Sequence, residues 1–73
     1  MNEAIHKRLE HAINVSSLTD HQIRHKANIP KARYYEIRRG EGHIKEYTLI
    51  GLCKALNISA DWLLMGKGTM KGE

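Results

Sequence analysis

Seven basic residues lie close together in the middle of the chain, where their side chains could bind a polyanion. Residues 24–45 hold these seven against two acidic residues, a net +5, whereas the whole chain has a formal charge of +4. Clustered lysine and arginine in a small domain attract phosphate-rich partners, because neutralising phosphates releases counterions. The segment predicts contact with nucleic acid, with a solvated charged face as the alternative. The basic residues are Arg24, Lys26, Lys31, Arg33, Arg38, Arg39 and Lys45, and the acidic residues are Glu36 and Glu41.

Side chains within this segment also have the chemistry to distinguish bases. Lys31 can donate to guanine O6 and N7, Ala32 can touch a thymine methyl, and Glu36 can accept from cytosine N4. Arg33 and Tyr35 lie beside them as further base-reading candidates. For backbone phosphates the candidates are Thr19, Arg39, His43 and Lys45. Thr19 has a second interpretation as a purely local helix cap.

Five histidines raise the possibility of a metal site. His21 and His25 are four residues apart, so on a helix they lie one turn apart, as two ligands would. However, glutamine stands at position 22, where the helix of a metalloprotease needs its glutamate base, and no third ligand is identifiable. We therefore expect no metal, but we do expect histidine to make binding depend on pH near neutrality.

The elements that must position these side chains are five predicted helices in one all-α domain of residues 1–66, followed by a flexible tail of residues 67–73. Apolar residues at three-and-four spacing predict the first helix over residues 2–14. The second covers residues 20–27, the third begins at Pro30 and runs to about Arg39, the fourth opens at residues 47–48, and the fifth follows Ser59. Residues 40–46 are predicted to form a loop, since two glycines in three positions favour irregular backbone.

Capping residues define most of the predicted helix ends. Thr19 and Gln22 have the spacing of a capping box, and Ser59 can cap the fifth helix. Asn28, Asn57 and Gly66 suit the left-handed conformation that ends a helix. In the third helix, Tyr34 and Ile37 should face the core, and we expect Tyr47 and Trp62 to be packing residues as well.

Length and composition exclude several classes of protein. A chain of 73 residues can form one small domain, and its apolar runs are too short to cross a bilayer. Without a signal-peptide core, a cytoplasmic, nucleoid-associated protein is the expectation. Cys53 is the only cysteine, so an intrachain disulfide is impossible and a core role is expected. No catalytic motif is visible, and we expect neither enzyme activity, nor a cofactor, nor a small-molecule substrate.

Two stretches of the sequence resemble the phage-repressor and Cro-like (XRE-type) helix-turn-helix family. They are residues 18–40 and residues 52–66, of which the ending KALNISADWLLMG is the most specific part. The resemblance implies a five-helix domain of the lambda-repressor-like type, with helix 2 over the DNA backbone and helix 3 in the major groove. The positions of Lys31, Ala32 and Glu36 match those that read bases in the family. Arg24, Asn28 and Arg38 depart from its usual alanine, glycine and glutamate.

The function implied by the resemblance is sequence-specific binding of a double-stranded DNA operator by a homodimer. It further implies a transcriptional repressor of phage or mobile-element type. The alternative is a protein-interaction module, such as an antitoxin or anti-repressor, that uses the same fold to bind a protein. The basic segment favours DNA, since a protein-binding face more often carries a contiguous apolar patch.

Overall fold

Five short helices make up the fold, joined by short turns and, between residues 39 and 45, by a longer loop; the computed structural model describes residues 2–72. The helices are α1 Glu3–Val15, α2 Asp20–Ala27, α3 Lys31–Arg38, α4 Glu46–Leu56 and α5 Ala60–Met65. Over this range there is no strand, only an isolated antiparallel bridge between Ile58 and Lys71. The prediction of an all-α domain with five helices is confirmed. None of the described helices combines the length and the apolar character that crossing a membrane requires.

The predicted caps define most of the helix ends. Thr19 and Gln22 form a complete capping box at the start of α2, and the Ser59 hydroxyl accepts from the backbone N–H of Trp62 in α5. Asn28, at φ 56°, and Asn57, at φ 53°, adopt the left-handed conformation that ends α2 and α4. The start of α1 has a cap that the sequence reasoning did not assign, because the Asn2 side chain accepts from the N–H groups of Ala4 and Ile5.

The core lies between all five helices, and each contributes at least one buried apolar side chain. The largest fully buried side chains are Leu9, Ile23, Tyr34, Ile37, Leu52 and Leu63. Helix α2 packs chiefly on α4, while α1 packs on α5 and α3. Burying apolar surface is the main stabilising contribution in so small a domain, and α3 is held by its two inward residues, Tyr34 and Ile37.

Gly51 allows α2 and α4 to approach closely. A Cβ at this position would lie 3.0 Å from the backbone oxygen of Ala27, closer than nine in ten real Cβ contacts. Glycine inside a helix costs about 0.5–1 kcal/mol relative to alanine, so its presence here is explained by the helix crossing. The crossing fixes α2 on the core, and α2 in turn supports α3.

The prediction that Tyr47 packs in the core is wrong, because its side chain is 72% exposed. Helix α4 begins at Glu46, and at 100° per residue Tyr47 lies about 160° around the helix from Leu49. The adjacent Thr48 is buried instead. Trp62 is only partly buried and packs against the outside of the core.

Residues 67–72, predicted as part of a flexible tail, return to the end of α4. The backbone N–H of Ser59 donates to the Met70 oxygen at 2.9 Å, and the N–H of Gly72 donates to the Asn57 oxygen at 2.8 Å. Met70 is partly buried against the core. This segment therefore packs against the connection between α4 and α5.

Candidate nucleic-acid interface

The connection between α2 and α3 is short because it is built from three specialised residues. Asn28 reverses the chain in the left-handed conformation, and the N–H of Ile29 donates back to the Arg24 oxygen at 3.0 Å. The Ile29 side chain is buried, which anchors the turn to the core. Pro30, at φ −59°, then precedes the first residue of α3, and its oxygen accepts from the N–H of Tyr34. These contacts determine where α3 lies relative to α2.

The outer face of α3 carries the residues that the sequence predicts to read bases. Lys31, Ala32 and Tyr35 are exposed, whereas Arg33 and Glu36 are half-buried. Arg33 Nη1 lies 3.9 Å from Glu36 Oε1, one turn along the same helix. The structure therefore places Lys31, Ala32, Tyr35 and Glu36 on the part of α3 that faces away from Tyr34 and Ile37, whereas Arg33 lies on the flank of the helix, against the loop of residues 40–45. Their contacts with bases stay a prediction.

Arg38 at the other end of α3 takes part in a polar network with α1 and α2. Its guanidinium donates to both carboxylate oxygens of Glu10, at 2.8 and 3.2 Å, and to Asp20 Oδ1 at 2.6 Å. The Tyr34 hydroxyl donates to the same Asp20 oxygen at 2.7 Å. The His6 imidazole lies 2.9 Å from the Arg38 backbone oxygen. This network, which we call the Arg38 network, ties α3 to its two neighbouring helices.

The environment of the Arg38 network shifts the protonation of two of its members. Burial, reinforced by the hydrogen bond to Asp20, raises the pKa of Tyr34 to about 12. The hydrogen bond to Glu10 raises the pKa of the Arg38 guanidinium further above its ordinary value. Both shifts favour the protonated forms that donate in the network, so the network is intact at neutral pH.

Two further arginines of the basic segment are also engaged by neighbouring groups. Arg33 Nη2 donates to the backbone oxygen of His43, and this hydrogen bond holds the loop of residues 40–45 against α3. Arg39 Nη2 donates to Glu41 Oε1 at 3.1 Å on the surface. Three of the seven basic residues, Arg33, Arg38 and Arg39, therefore have carboxylate partners.

The remaining four basic residues of the segment form no ion pair within residues 2–72: Arg24, Lys26, Lys31 and Lys45. Arg24 and Lys31 line a cleft of about 210 Å³ between α2 and α3, together with His21 and Tyr35. Lys45 and Arg33 line a second cleft, of about 180 Å³, beside Pro30 and Tyr47. The start of α3 is therefore flanked by two clefts that contain basic side chains.

The four predicted phosphate contacts do not all lie together. Lys45 is exposed at the start of α4 and borders the second cleft. His43 lies in the adjoining loop, Arg39 is exposed at the end of α3, and the hydroxyl of Thr19 is engaged in its capping box. Both interpretations of Thr19 remain compatible, since a hydroxyl that caps a helix can still donate its own proton to a phosphate.

Sequence reasoning assigned no base or phosphate contact to three residues that shape this surface, His21, Arg24 and Tyr47. Arg24 is half-buried, its Nη1 lies 3.5 Å from the Ile29 oxygen, and it borders the first cleft with His21. Tyr47 borders the second cleft and was assigned to the core. The signal that could have found His21 and Arg24 is their three-residue spacing, which places both on one face of α2.

The paired histidines of α2 stack rather than converge on a common point. The ring centroids of His21 and His25 are 6.2 Å apart, with 18° between the ring planes. Over the described residues, no group of three or more histidine, cysteine, aspartate or glutamate side chains is placed to hold a metal ion.

Comparisons with protein-family models, with curated proteins and with solved structures return no match for this chain.

Proposed function

We propose that this protein is a non-enzymatic, sequence-specific DNA-binding regulator in which α2 and α3 form a helix-turn-helix. In the proposed complex α3 enters the major groove of double-stranded DNA. The observation that carries the proposal is the outer face of α3, where exposed Lys31, Ala32 and Tyr35 lie beside basic residues that lack carboxylate partners. Lys31 as a donor, Ala32 as a small apolar group and Glu36 as an acceptor match the groups that bases present in that groove.

Charge distribution supports DNA over other partners. Arg24, Lys31 and Lys45 flank the start of α3 and form no ion pair within the described part of the chain. Phosphate oxygens of a duplex would supply the missing negative charge on both sides of the helix. A protein-binding module on the same fold is the competing proposal, and it predicts no affinity for duplex DNA.

We further propose that two copies bind a two-fold symmetric operator and regulate transcription, with repression of the phage or mobile-element kind implied by the family resemblance. Half-sites one helical turn apart are separated by roughly 34 Å. The domain measures 31 × 24 × 21 Å, so two copies fit side by side on one face of the duplex. Such a regulator would act where the DNA is, in the cytoplasm of a bacterial cell.

The test is selection of bound sequences from a random duplex library, followed by affinity measurements at several salt concentrations. Four to six phosphate contacts predict a slope of log K against log salt of roughly −4 to −6. Selection should return a two-fold symmetric site bound by two protomers. A slope near zero would overturn DNA binding, and a single asymmetric half-site bound by one protomer would overturn the dimer.

Glu36→Ala provides a sharper test of base reading. The variant loses the acceptor proposed for cytosine, so preference at one base pair of the selected site should relax. Affinity for random DNA should be retained or rise slightly, because a carboxylate that repels phosphate has been removed. Lys54→Ala on α4, remote in sequence from α2 and α3, is the control and should leave base preference unchanged.

A further inference from the structure

The cleft between α2 and α3 gathers side chains that suit an anion. Its lining consists of His21 and Arg24 from α2 and Lys31 and Tyr35 from α3, around a volume of about 210 Å³. Water occupies roughly 30 Å³ per molecule in the liquid, so the cleft has room for a phosphodiester group. Guanidinium, ammonium, imidazolium and phenol groups all donate hydrogen bonds to phosphate oxygens.

No carboxylate is available in this cleft to balance its positive charge. Neither Arg24 nor Lys31 forms an ion pair within residues 2–72, and the nearby Asp20 is engaged by Arg38 and Tyr34. Arg33, Arg38 and Arg39 show the opposite arrangement, since each lies within 4 Å of a carboxylate oxygen. The cleft therefore differs from the rest of the basic segment in lacking an internal counter-charge.

Arg24, Tyr35 and His21 in the cleft each contact a neighbouring residue, whereas Lys31 is exposed. The Tyr35 ring stands edge-on to the buried Tyr34 ring, with centroids 5.3 Å apart and 81° between the planes. Arg24 is half-buried along the α2–α3 turn, and His21 stacks on His25. The half-buried Arg24 therefore loses less conformational entropy than an exposed arginine would when it binds a ligand.

We infer that this cleft binds a backbone phosphate of DNA and that protonation of His21 strengthens the binding. The inference rests on the proposed DNA binding and extends it to α2, adding His21 and Arg24 to the interface. Because a phosphate contact carries no sequence information, the effect applies to specific and random duplexes alike.

The pH dependence follows from the titratable and charged groups that face His21. These are Arg24 and His25 on α2 and Lys31 and Tyr35 on α3. A phosphate bound in the cleft beside His21 would attract a proton to the imidazole, because it places negative charge next to the ring. Binding of DNA is therefore coupled to uptake of a proton, and by reciprocity a lower pH tightens binding.

The experiment compares duplex affinity at pH 6 and pH 8 by fluorescence anisotropy at constant salt, using both the selected and a random duplex. The wild-type protein should bind about threefold to tenfold more tightly at pH 6, since one linked proton allows at most tenfold per pH unit. His21→Gln should reduce this ratio to below about twofold. His11→Gln on α1, whose ring lies beside Trp62, is the matched control and should behave as wild type.

A second variant tests the cleft without relying on histidine. Arg24→Gln should reduce the magnitude of the slope of log K against log salt by about 0.9, the value for one lost phosphate contact. A pH ratio that survives in His21→Gln but disappears in His43→Gln would overturn the inference and leave DNA binding intact. An unchanged salt slope in Arg24→Gln would also overturn it. A wild-type protein that binds neither duplex would overturn both the inference and the proposed function.

Discussion

The two ends of α3 use their positive charges differently. At the start of the helix, Lys31 is exposed and has no carboxylate partner among the described residues, and Arg24 beside it is likewise unpaired. At the end of the helix, Arg38 is bound by Glu10 and Asp20, and Arg39 by Glu41. The end of α3 is thus attached to the fold, while its start is left available for a partner. Net charge counted along a sequence does not distinguish these two uses.

The difference also separates stability from binding. Removing a cation that balances partly buried carboxylates leaves those carboxylates without compensation, which destabilises the fold. Removing an exposed cation that has no carboxylate partner leaves no carboxylate without compensation, so the fold should be little affected. Substitutions at the two ends of the same eight-residue helix should therefore have distinct effects.

The largest expected effect is that of Arg38→Met on the free energy of unfolding. Breaking a fully buried ion pair costs about 3–5 kcal/mol, and because the Arg38 side chain is 23% exposed we expect about 2–3 kcal/mol. Urea denaturation monitored by circular dichroism measures the change. Arg39→Met, one residue on, removes the same charge from an exposed pair and should leave unfolding unchanged within error. If Arg38→Met and Arg39→Met lose the same free energy of unfolding, the ion pairs of the Arg38 network stabilise the fold no more than the exposed pair of Arg39.

The next effect is that of Lys31→Ala on DNA binding. Loss of a good base contact costs about 1–3 kcal/mol of binding free energy, and we expect this on the selected duplex. Unfolding should change by less than about 0.5 kcal/mol, as for most surface substitutions. Lys54→Ala removes the same charge from an exposed position of α4 and controls for overall electrostatics. If Lys31→Ala and Lys54→Ala weaken binding equally, the start of α3 has no special role.

These two predictions show how far sequence reasoning reaches. The bounds of α2, the capping box of Thr19 and the left-handed Asn28 follow from local rules and are confirmed. The role of Arg38 does not follow from such rules, because its partner Glu10 is 28 residues away and the pairing depends on how α1 packs against α3. The same holds for Arg33, whose partner is a backbone oxygen in an irregular loop.

Tyr47 shows a second limit of sequence reasoning. We expected Tyr47 to fall at a core-facing position, but Thr48 takes the buried position instead. Tyr47 lies about 160° around α4 from Leu49 wherever the helix begins, so the angular position of the residue, and not its apolar character, determines its exposure. The face of α3 that is predicted to read bases is better defined, because the buried Tyr34 and Ile37 mark the inner side of the helix.

Alkaline pH gives a third prediction, which concerns the Arg38 network alone. The folded protein raises the pKa of Tyr34 from 10.0 to about 12, so the neutral phenol is favoured in the folded state. This contribution is complete below pH 10 and is lost as pH rises through 12. By pH 11 it should have decreased by about 1.4 kcal/mol. Denaturation at pH 9 and pH 11 measures the loss, and Tyr34→Phe, which lacks the ionisable group, should lose less stability over the same interval. An equal loss in both proteins would show that other groups are responsible.

The smallest expected effect concerns Arg33, which lies near the start of α3 but is engaged like the residues at its end. Its guanidinium donates to the backbone oxygen of His43 and lies 3.9 Å from Glu36, so its main contact is with the loop of residues 40–45. Arg33→Ala should therefore accelerate amide hydrogen exchange in that loop several-fold, because local opening no longer breaks this bond. Global stability should change little, since the contact is exposed to solvent. Lys31→Ala, two residues earlier on α3, is the control because Lys31 is exposed and forms no ion pair within the described residues. If exchange in the loop is equally fast in both variants, or unchanged in Arg33→Ala, Arg33 does not hold the loop. Arg33 would then belong with the cations at the start of α3 that are available for a partner.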